Sequence, residues 1–346
     1  MSKKNSKKRE VPGPYGLKSE LYKALIEKKR SLNTLTKCLR NEIDRRMKPR
    51  KWKKSRTKML KKVKKPNVQQ IRPIALLNIS YKVYMSLMKN EMEEHIETND
   101  EQTETQAGFT KGGRMEDNIF ILQYCIERSF KNKKGLVVVA VDFSKAYDSI
   151  KREELILKVM MDYKMHPDVI QSVADVYRED TTVIDLGYEI NEELEVTSGI
   201  KQGCTGSTSL FKLITYKIIK ELQNLGGGFK DECLDINCLF YADDGLLLAK
   251  DIDTARMMIN SLIDICNKFG LKINKDKSSI LTYNLEHNLE EIAGIKIEDN
   301  IKYLGIIIDN KKDMFKTQRN ITIKKAEKLA KLTHSVIAKS CNKNNY

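Results

Sequence analysis

Histidine is scarce in this chain, with four residues in 346. The seven cysteines are scattered, at Cys38, Cys125, Cys204, Cys233, Cys238, Cys266 and Cys341, and no two form a Cys-x-x-Cys pair. This pattern argues against a zinc knuckle, and dispersed thiols in odd number read as reduced cysteine in a nuclear or cytoplasmic setting. No run of 18 apolar residues occurs, which excludes a long apolar membrane-spanning helix. No apolar stretch follows the basic start Ser2-Lys3-Lys4-Asn5-Ser6-Lys7-Lys8-Arg9, so the chain reads as one that is not secreted. Internal repeats and low-complexity domains are also missing.

One long stretch lacks acid. Between Arg45 and Lys65, 13 residues are Lys or Arg and none is Asp or Glu. This stretch carries most of the net charge of +16, and the pI is about 9.3. Such a balance points to a polyanionic partner, nucleic acid before membrane. Trp52, Met59, Leu60 and Val63 interrupt the charges, and the stretch leads into apolar Ile71 to Leu77. The expected structure is a basic ribbon that grips phosphates through Lys51, Lys53, Lys54, Arg56, Lys58, Lys61 and Lys62. A flexible arm or a localisation signal is the alternative. Either way, binding through it should weaken steeply with salt.

What the chain does have is an acidic tip, Phe240-Tyr241-Ala242-Asp243-Asp244, between an apolar run ending at Phe240 and the run Gly245 to Ala249. Two short apolar runs meeting at such a tip predict a β-hairpin. Adjacent carboxylates repel, and a cation is the usual reason to hold them together. A solvated acidic turn is the plainer alternative. A third carboxylate has a candidate in Asp142. It follows Gly135 to Val141, a β-branched run that predicts a strand buried on both faces. A buried strand that delivers an Asp at its end gives that group a rigid support. Asp142 could instead simply end the strand, or cap a helix beginning near Lys151, although Asp148 suits that cap better. Asp142, Asp243 and Asp244 together make a ligand set for two divalent ions of the kind that serve in-line displacement at phosphorus. Hard oxygen ligands suit Mg2+, with Mn2+ as the alternative ion, rather than zinc.

The remaining pattern is mixed. Helices are expected over about 19–29, 81–98, 117–130, 151–163, 167–178, 207–222, 253–269 and 322–340. His95 lies on the apolar stripe of the second of these and reads as a packed residue. Extended segments are expected over 71–77, 135–142, 271–273, 279–281 and 301–308, with a hairpin over 182–196 turning near Gly187 and a Gly-containing loop over 106–114. In the centre, the order βα…ββαβ is compatible with a split-βαβ, ferredoxin-like sheet, an α+β arrangement.

In order along the chain, these segments resemble the reverse transcriptase domain of non-LTR (LINE-type) retrotransposons. Arg72-Pro73-Ile74-Ala75-Leu76-Leu77-Asn78 with Tyr81-Lys82, and Gln106-Ala107-Gly108-Phe109 through Arg114, resemble two fingers motifs. Val141-Asp142-Phe143-Ser144-Lys145-Ala146-Tyr147-Asp148 resembles palm motif A, Ser198-Gly199-Ile200-Lys201-Gln202-Gly203-Cys204 motif B, and Phe240 to Asp244 motif C. Gly270 to Ser278 resembles motif D, and Tyr303-Leu304-Gly305 resembles motif E, the primer grip. The resemblance covers roughly residues 11–340 and departs at two points. Tyr15 stands where the family usually carries Asp, and Thr205-Gly206-Ser207 follows Cys204 where Pro is usual.

The resemblance implies a right-hand polymerase fold with a basic tail (1–10), fingers with an N-terminal extension (11–134), a ferredoxin-like palm (135–310, with fingers-proximal helices at 151–180) and a short partial thumb (311–346). It implies copying of RNA into DNA by two-metal nucleotidyl transfer, with an RNA template, a DNA primer and dNTPs as partners. Asp142 and Asp243 would ligate the metals, with Asp244 close by, and Phe143 would offer its backbone carbonyl. Arg72, Gln202, Gly203 and Lys277 would meet the incoming nucleotide, Lys277 as a proton donor to pyrophosphate. Tyr147 would block a ribonucleotide 2′-hydroxyl, with ordinary core packing as its alternative. Tyr303, Leu304 and Gly305 would meet the primer. The missing endonuclease, knuckle and RNase H segments imply a fragment of a larger polyprotein or a degenerate element. A group II intron maturase-like or retron-like polymerase, and a catalytically silent RNA-binding remnant, remain as alternatives.

Overall fold

The computed structural model describes residues 13–14, 16, 19–44, 48–61, 71–99, 103–185 and 192–343. The basic tail, Tyr15, Lys62 and the turn at Gly187 lie outside these residues, as do the side chains of Lys61 and of 334–343. The chain forms two compact units, each assembled from three separated segments: residues 1–103, 144–218 and 265–272 in one, residues 104–143, 219–264 and 273–346 in the other.

The second unit is built on a six-stranded sheet. Its strand order is Glu291–Ile292, Ile295–Ile297, Ser279–Tyr283, Leu136–Val141, Asp244–Ala249, Cys238–Tyr241. Leu136–Val141 lies inside the sheet, antiparallel to both neighbours, with Val139 opposite Leu247 on one side and Ile280 on the other. Its unbroken apolar, Val-rich sequence fits this place, because both faces are covered. Leu136 and Val138 point into a core shared with Leu122, Cys125 and Ile126 of the helix Met115–Asn132 and with Leu246, Leu248, Leu281 and Tyr283. Val137, Val139 and Val141 alternate to the opposite face and are buried as well. The four strands at 136–141, 238–241, 244–249 and 279–283 follow the expected βα…ββαβ order.

Two extended segments differ from the sequence expectation. Residues 301–308 form two strands, Asn300–Tyr303 and Ile306–Asp309, paired antiparallel. Leu304 and Gly305 have φ of 47° and 84°, the two-residue turn that matches strand twist. An apolar run read as continuous conceals this turn because a single Gly is a weak breaker. Residues 271–273 contribute only an isolated bridge, Ile273 opposite Phe143.

The first unit carries a four-stranded sheet in the order Ile71–Leu76, Lys54–Lys61, Thr181–Asp185, Leu194–Glu195. The basic segment is thus an interior strand, antiparallel to Ile71–Leu76 and parallel to Thr181–Asp185. Helices Ile79–Thr98 and Pro167–Tyr177 match expectation closely. The first helix ends at Ile26, and a separate amphipathic helix, Lys29–Asp44, follows it. The helix expected over 151–163 contains a π-helical turn at Glu154–Val159. His95 packs as expected, its Nε2 2.6 Å from the Tyr163 carbonyl.

Leu247 is fully buried between Val139 and Cys238 on the neighbouring strands. Its replacement by Ala should cost about 2–5 kcal/mol, read as a lower urea midpoint with an unchanged m-value.

Candidate active site

The acidic tip is a hairpin, as expected, and a very tight one. Tyr241 pairs with Asp244, so Ala242 and Asp243 alone make the turn. Ala242 has φ of 57°, a conformation that costs a non-glycine residue about 1–2 kcal/mol. A single buried side chain holds it there. Gln106 Oε1 accepts from the Ala242 N–H at 3.0 Å and from the Gly108 N–H at 2.9 Å, and Gln106 Nε2 donates to the Ala242 carbonyl at 3.3 Å. The backbones join as well, since the Ala107 N–H donates to the Phe240 carbonyl at 3.0 Å. Gly108 is required by this approach: a Cβ there would lie 2.0 Å from the Ala242 nitrogen.

Asp142 is fixed from the other side. Its backbone N–H donates to Ser278 Oγ at 3.1 Å, and its carbonyl accepts from the Asn274 N–H at 2.8 Å. Buried Ser278 in turn donates to the Asn274 carbonyl at 2.9 Å. The motif D turn therefore clamps the end of the central strand. Lys277 projects from that turn, largely exposed, with Nζ 4.0 Å from Asp142 Oδ2. Phe143 follows with a buried side chain.

One of the three carboxylates senses the other two. Asp244 is exposed, yet its carboxyl is pushed up to about 6, first by the water that the surrounding chain displaces, then by the charges of Asp243 and Asp142. No group of three metal-ligating side chains is drawn into a ready cage among the described residues. The donor set still fits a hard divalent cation: carboxylates only, no thiol or imidazole, and a carboxyl whose ionisation is opposed until positive charge arrives.

Of the nucleotide-binding candidates, Arg72, Tyr147, Gln202 and Gly203 belong to the first unit, and Lys277 to the second. Within the first unit they are tied together. Gln202 Nε2 donates to Asp148 Oδ1 at 2.9 Å, and its carbonyl accepts from the Ala75 N–H at 2.9 Å. Asp148 thus orients Gln202. Tyr147 stacks on buried Phe211, with ring centroids 4.8 Å apart and planes 12° from parallel. Gly203 is exposed with φ of 108°, and Arg72 is exposed on its strand.

The basic segment divides by strand alternation. Trp52 is buried, its ring packed at a tilt of 40° against Tyr84 with centroids 4.9 Å apart and its Nε1 donating to Ser80 Oγ at 2.9 Å, which anchors the strand that follows. Lys53 is corrected from a phosphate contact to a structural residue: it is 4% exposed and pairs with Glu179 at 3.3 Å. Lys54 pairs with Glu193, and Arg56 lies 3.8 Å from Asp185. Lys51, Arg56 and Lys58 are exposed. The register sets Leu60 opposite Arg72, so Arg56, Lys58 and Arg72 share one sheet face.

Tyr303 is corrected too. Its side chain is 3% exposed, and its hydroxyl accepts from Asn118 Nδ2 at 3.0 Å. Burial raises its phenol well above the ordinary range. It cannot touch a primer through its ring, whereas half-buried Leu304 and exposed Gly305 reach the surface. Asn118 Nδ2 also donates to the Phe240 carbonyl at 3.1 Å, joining this hairpin to the acidic one. Sequence reasoning missed Asn118, Gln106 and Ser278 as positioning groups. For Asn118 a signal existed: it is a polar residue at i, i+4 spacing on the stripe Leu122 and Ile126. The thiols of Cys125, Cys238 and Cys266 are pushed up to about 12 by burial and act as core residues.

Comparison with known proteins adds an independent line. Residues 63–308 match the family described as reverse transcriptase (RNA-dependent DNA polymerase). The Pol polyprotein of the type-1 retrotransposable element R2 from Bradysia coprophila is 27% identical over 206 residues, 55% of this chain and 23% of that protein. The R2 polyprotein of Nasonia vitripennis is 21% identical over 327 residues, 88% of this chain and 30% of that protein. A probable RNA-directed DNA polymerase from transposon BS of Drosophila melanogaster is 24% identical over 286 residues, 76% of this chain and 30% of that protein. The chain thus spans less than a third of these relatives. Among solved structures, telomerase from Candida tropicalis, in complex with the TWJ fragment of telomeric RNA, superposes with a TM-score of 0.53 at 13% identity, over 76% of this chain and 45% of that one. No helix among the described residues is long and apolar enough to cross a membrane.

The raised carboxyl of Asp244 gives a stability prediction. Its folded value of about 6 lies above the unfolded 3.8, so the folded state holds the proton more tightly. Stability at this site falls as pH rises through that interval and stays low above it. In EDTA, Asp244→Asn should raise Tm at pH 7.5 and give no gain at pH 3.5, measured by calorimetry on both proteins.

Proposed function

The chain belongs to the reverse transcriptase family, with the right-hand polymerase fold and with non-LTR retrotransposon polyproteins as relatives, and on that premise we propose that it extends a DNA primer on an RNA template with dNTPs. The observation that carries this reading is the clamped turn that presents Asp244 within electrostatic reach of both Asp243 and Asp142. Enzymes of this family generally use divalent metal ions. Here Asp142, Asp243 and Asp244, with the backbone carbonyl of Phe143, would hold Mg2+ or Mn2+. Bound there, such ions make the primer 3′-hydroxyl a better nucleophile and offset the charge gathering on pyrophosphate.

The side chains divide the remaining work. Gln106, Asn274 and Ser278 keep the carboxylates at fixed points, so that no reorganisation is needed when the reaction begins. Arg72 supplies a charge-assisted contact to the triphosphate. Gln202, oriented by Asp148, and Gly203, which has no side chain to obstruct approach, lie against the nucleotide. Tyr147, braced by Phe211, closes the space that a 2′-hydroxyl would need. Lys277 gives a proton to the departing pyrophosphate. Lys51, Lys54, Arg56 and Lys58 draw the nucleic-acid backbone to the sheet face, and Leu304 and Gly305 meet the primer. Neutralising several phosphates in this way makes binding salt-sensitive.

Extension of a labelled DNA primer on an RNA template should require Mg2+ or Mn2+, stop in EDTA, and fall by a factor of at least about 10³ in Asp243→Ala, the scale on which charge-stabilising groups act. Full extension by Asp243→Ala would refute the assignment. Tight RNA binding without any extension by the unaltered chain would favour a silent RNA-binding remnant instead. Tyr147→Ala should incorporate ribonucleotides at an increased rate relative to deoxyribonucleotides, measured as the ratio of kcat/KM for the two.

A further inference from the structure

Beneath the Gln202–Gly203 turn lies a buried ionic cluster that the proposed chemistry does not use. Asp180, with a side chain 1% exposed, faces two cations. Arg152 Nη2 donates to Asp180 Oδ2 at 2.8 Å, and Lys201 Nζ lies 2.8 Å from Asp180 Oδ1. Among the described residues, Asp180 is the one carboxylate paired with either cation. The cluster is therefore left with one surplus positive charge in a region from which water is largely removed.

The two cations are not equivalent. Arg152 is well satisfied: Nε donates to the Gly199 carbonyl at 2.7 Å, and Nη1 donates to the Val196 and Tyr177 carbonyls. Arg152 and Asp180 alone would form a neutral, hydrogen-bonded pair. Lys201 is the surplus charge. Its ammonium is buried, finds no well-aligned hydrogen-bond acceptor among the described residues, and rests over the rings of Tyr81 at 4.8 Å and Tyr177 at 5.8 Å. A buried cation held this way is a stability cost, and an apolar side chain of similar length is often tolerated as well or better. Lys201 directly precedes Gln202, and Gly199, whose carbonyl Arg152 holds, stands two residues before Lys201.

We infer that Lys201 is a positioning residue, which pins the Gly199–Gly203 loop to Asp180 and the two tyrosine rings and so sets where Gln202 and Gly203 meet the nucleotide. Stability alone is a weak reason for its presence, since Arg152 already pairs with Asp180 and a second buried cation carries a desolvation penalty. Function explains it if the placement of Gln202, already fixed by Asp148 and the Ala75 N–H, also depends on the residue next to it. This inference rests on the reverse transcriptase reading for its nucleotide, and not for the anchoring itself.

The test compares the full chain with Lys201→Met and Asp180→Asn. Lys201→Met should keep the wild-type Tm or exceed it, while hydrogen–deuterium exchange of peptides covering 198–204 quickens at least tenfold and exchange elsewhere is unchanged. In primer extension its KM for dNTP should rise about tenfold with kcat within twofold. Asp180→Asn, which strands two cations, should lower Tm and also loosen the loop. Unchanged exchange over 198–204 in Lys201→Met would overturn the inference, as would an unchanged dNTP KM in an active variant. A drop in Tm with uniformly faster exchange would overturn it too, leaving Lys201 a structural residue only. Should the unaltered chain fail to extend a primer, the polymerase reading falls while the exchange measurement still decides the anchoring.

Discussion

Like charges held close together are the constraint around which the second unit is organised. Asp243 sits in a two-residue turn and Asp244 directly follows it, where its carboxyl senses both Asp243 and Asp142 at the end of the central strand. Left alone, such a turn would splay, because repulsion and the positive φ of Ala242 both oppose it. The surrounding structure answers with directional bonds as well as with the counter-charge of Lys277, whose Nζ lies 4.0 Å from Asp142 Oδ2. Gln106 grips the turn through two hydrogen bonds to Ala242 and ties it to its own loop through Gly108, Asn118 fixes the preceding strand at the Phe240 carbonyl, and Ser278 and Asn274 hold the Asp142 backbone. The repulsion is thereby contained and not cancelled, which leaves the carboxylates disposed to receive a cation.

The same logic of fixed backbone and free function recurs in the first unit. Tyr147 is steadied by a stacked ring, Gln202 by a carboxylate and a strand N–H. The basic strand uses alternate residues for opposite purposes. Ser55 and Thr57 are buried and Lys53 is tied to Glu179, while Arg56 and Lys58 face outward beside Arg72. A segment that looks uniformly basic in sequence is thus half scaffold and half surface, because a strand alternates faces at every residue.

Much of this was legible in the sequence, for identifiable reasons. A run of five β-branched or small apolar residues before Asp142 can only satisfy a strand covered on both faces, and an Asp pair between apolar runs can only turn. Helices such as Ile79–Thr98 and Met115–Asn132 declared themselves by apolar spacing. What stayed hidden depends on contacts between residues far apart in sequence. Nothing local says that Gln106 reaches Ala242, 136 positions later, or that Asn118 reaches Tyr303. Nor does composition say that Tyr303 and Lys53 turn inward. Lys53 reads as a phosphate contact from its place in a basic run and Tyr303 as a primer contact from the motif E resemblance, and both are instead satisfied by partners inside the protein. The 300–309 hairpin escaped because its turn is marked by one glycine.

The claim on which the rest depends is that the three carboxylates form a divalent-cation site. Mn2+ titration followed by electron paramagnetic resonance at neutral pH measures this without requiring nucleic acid or turnover. The unaltered chain should remove about two Mn2+ from the free-ion signal, and the Asp243→Asn, Asp244→Asn double variant should remove none at the same concentrations. Equal depletion of the signal by both proteins would contradict the assignment of the site.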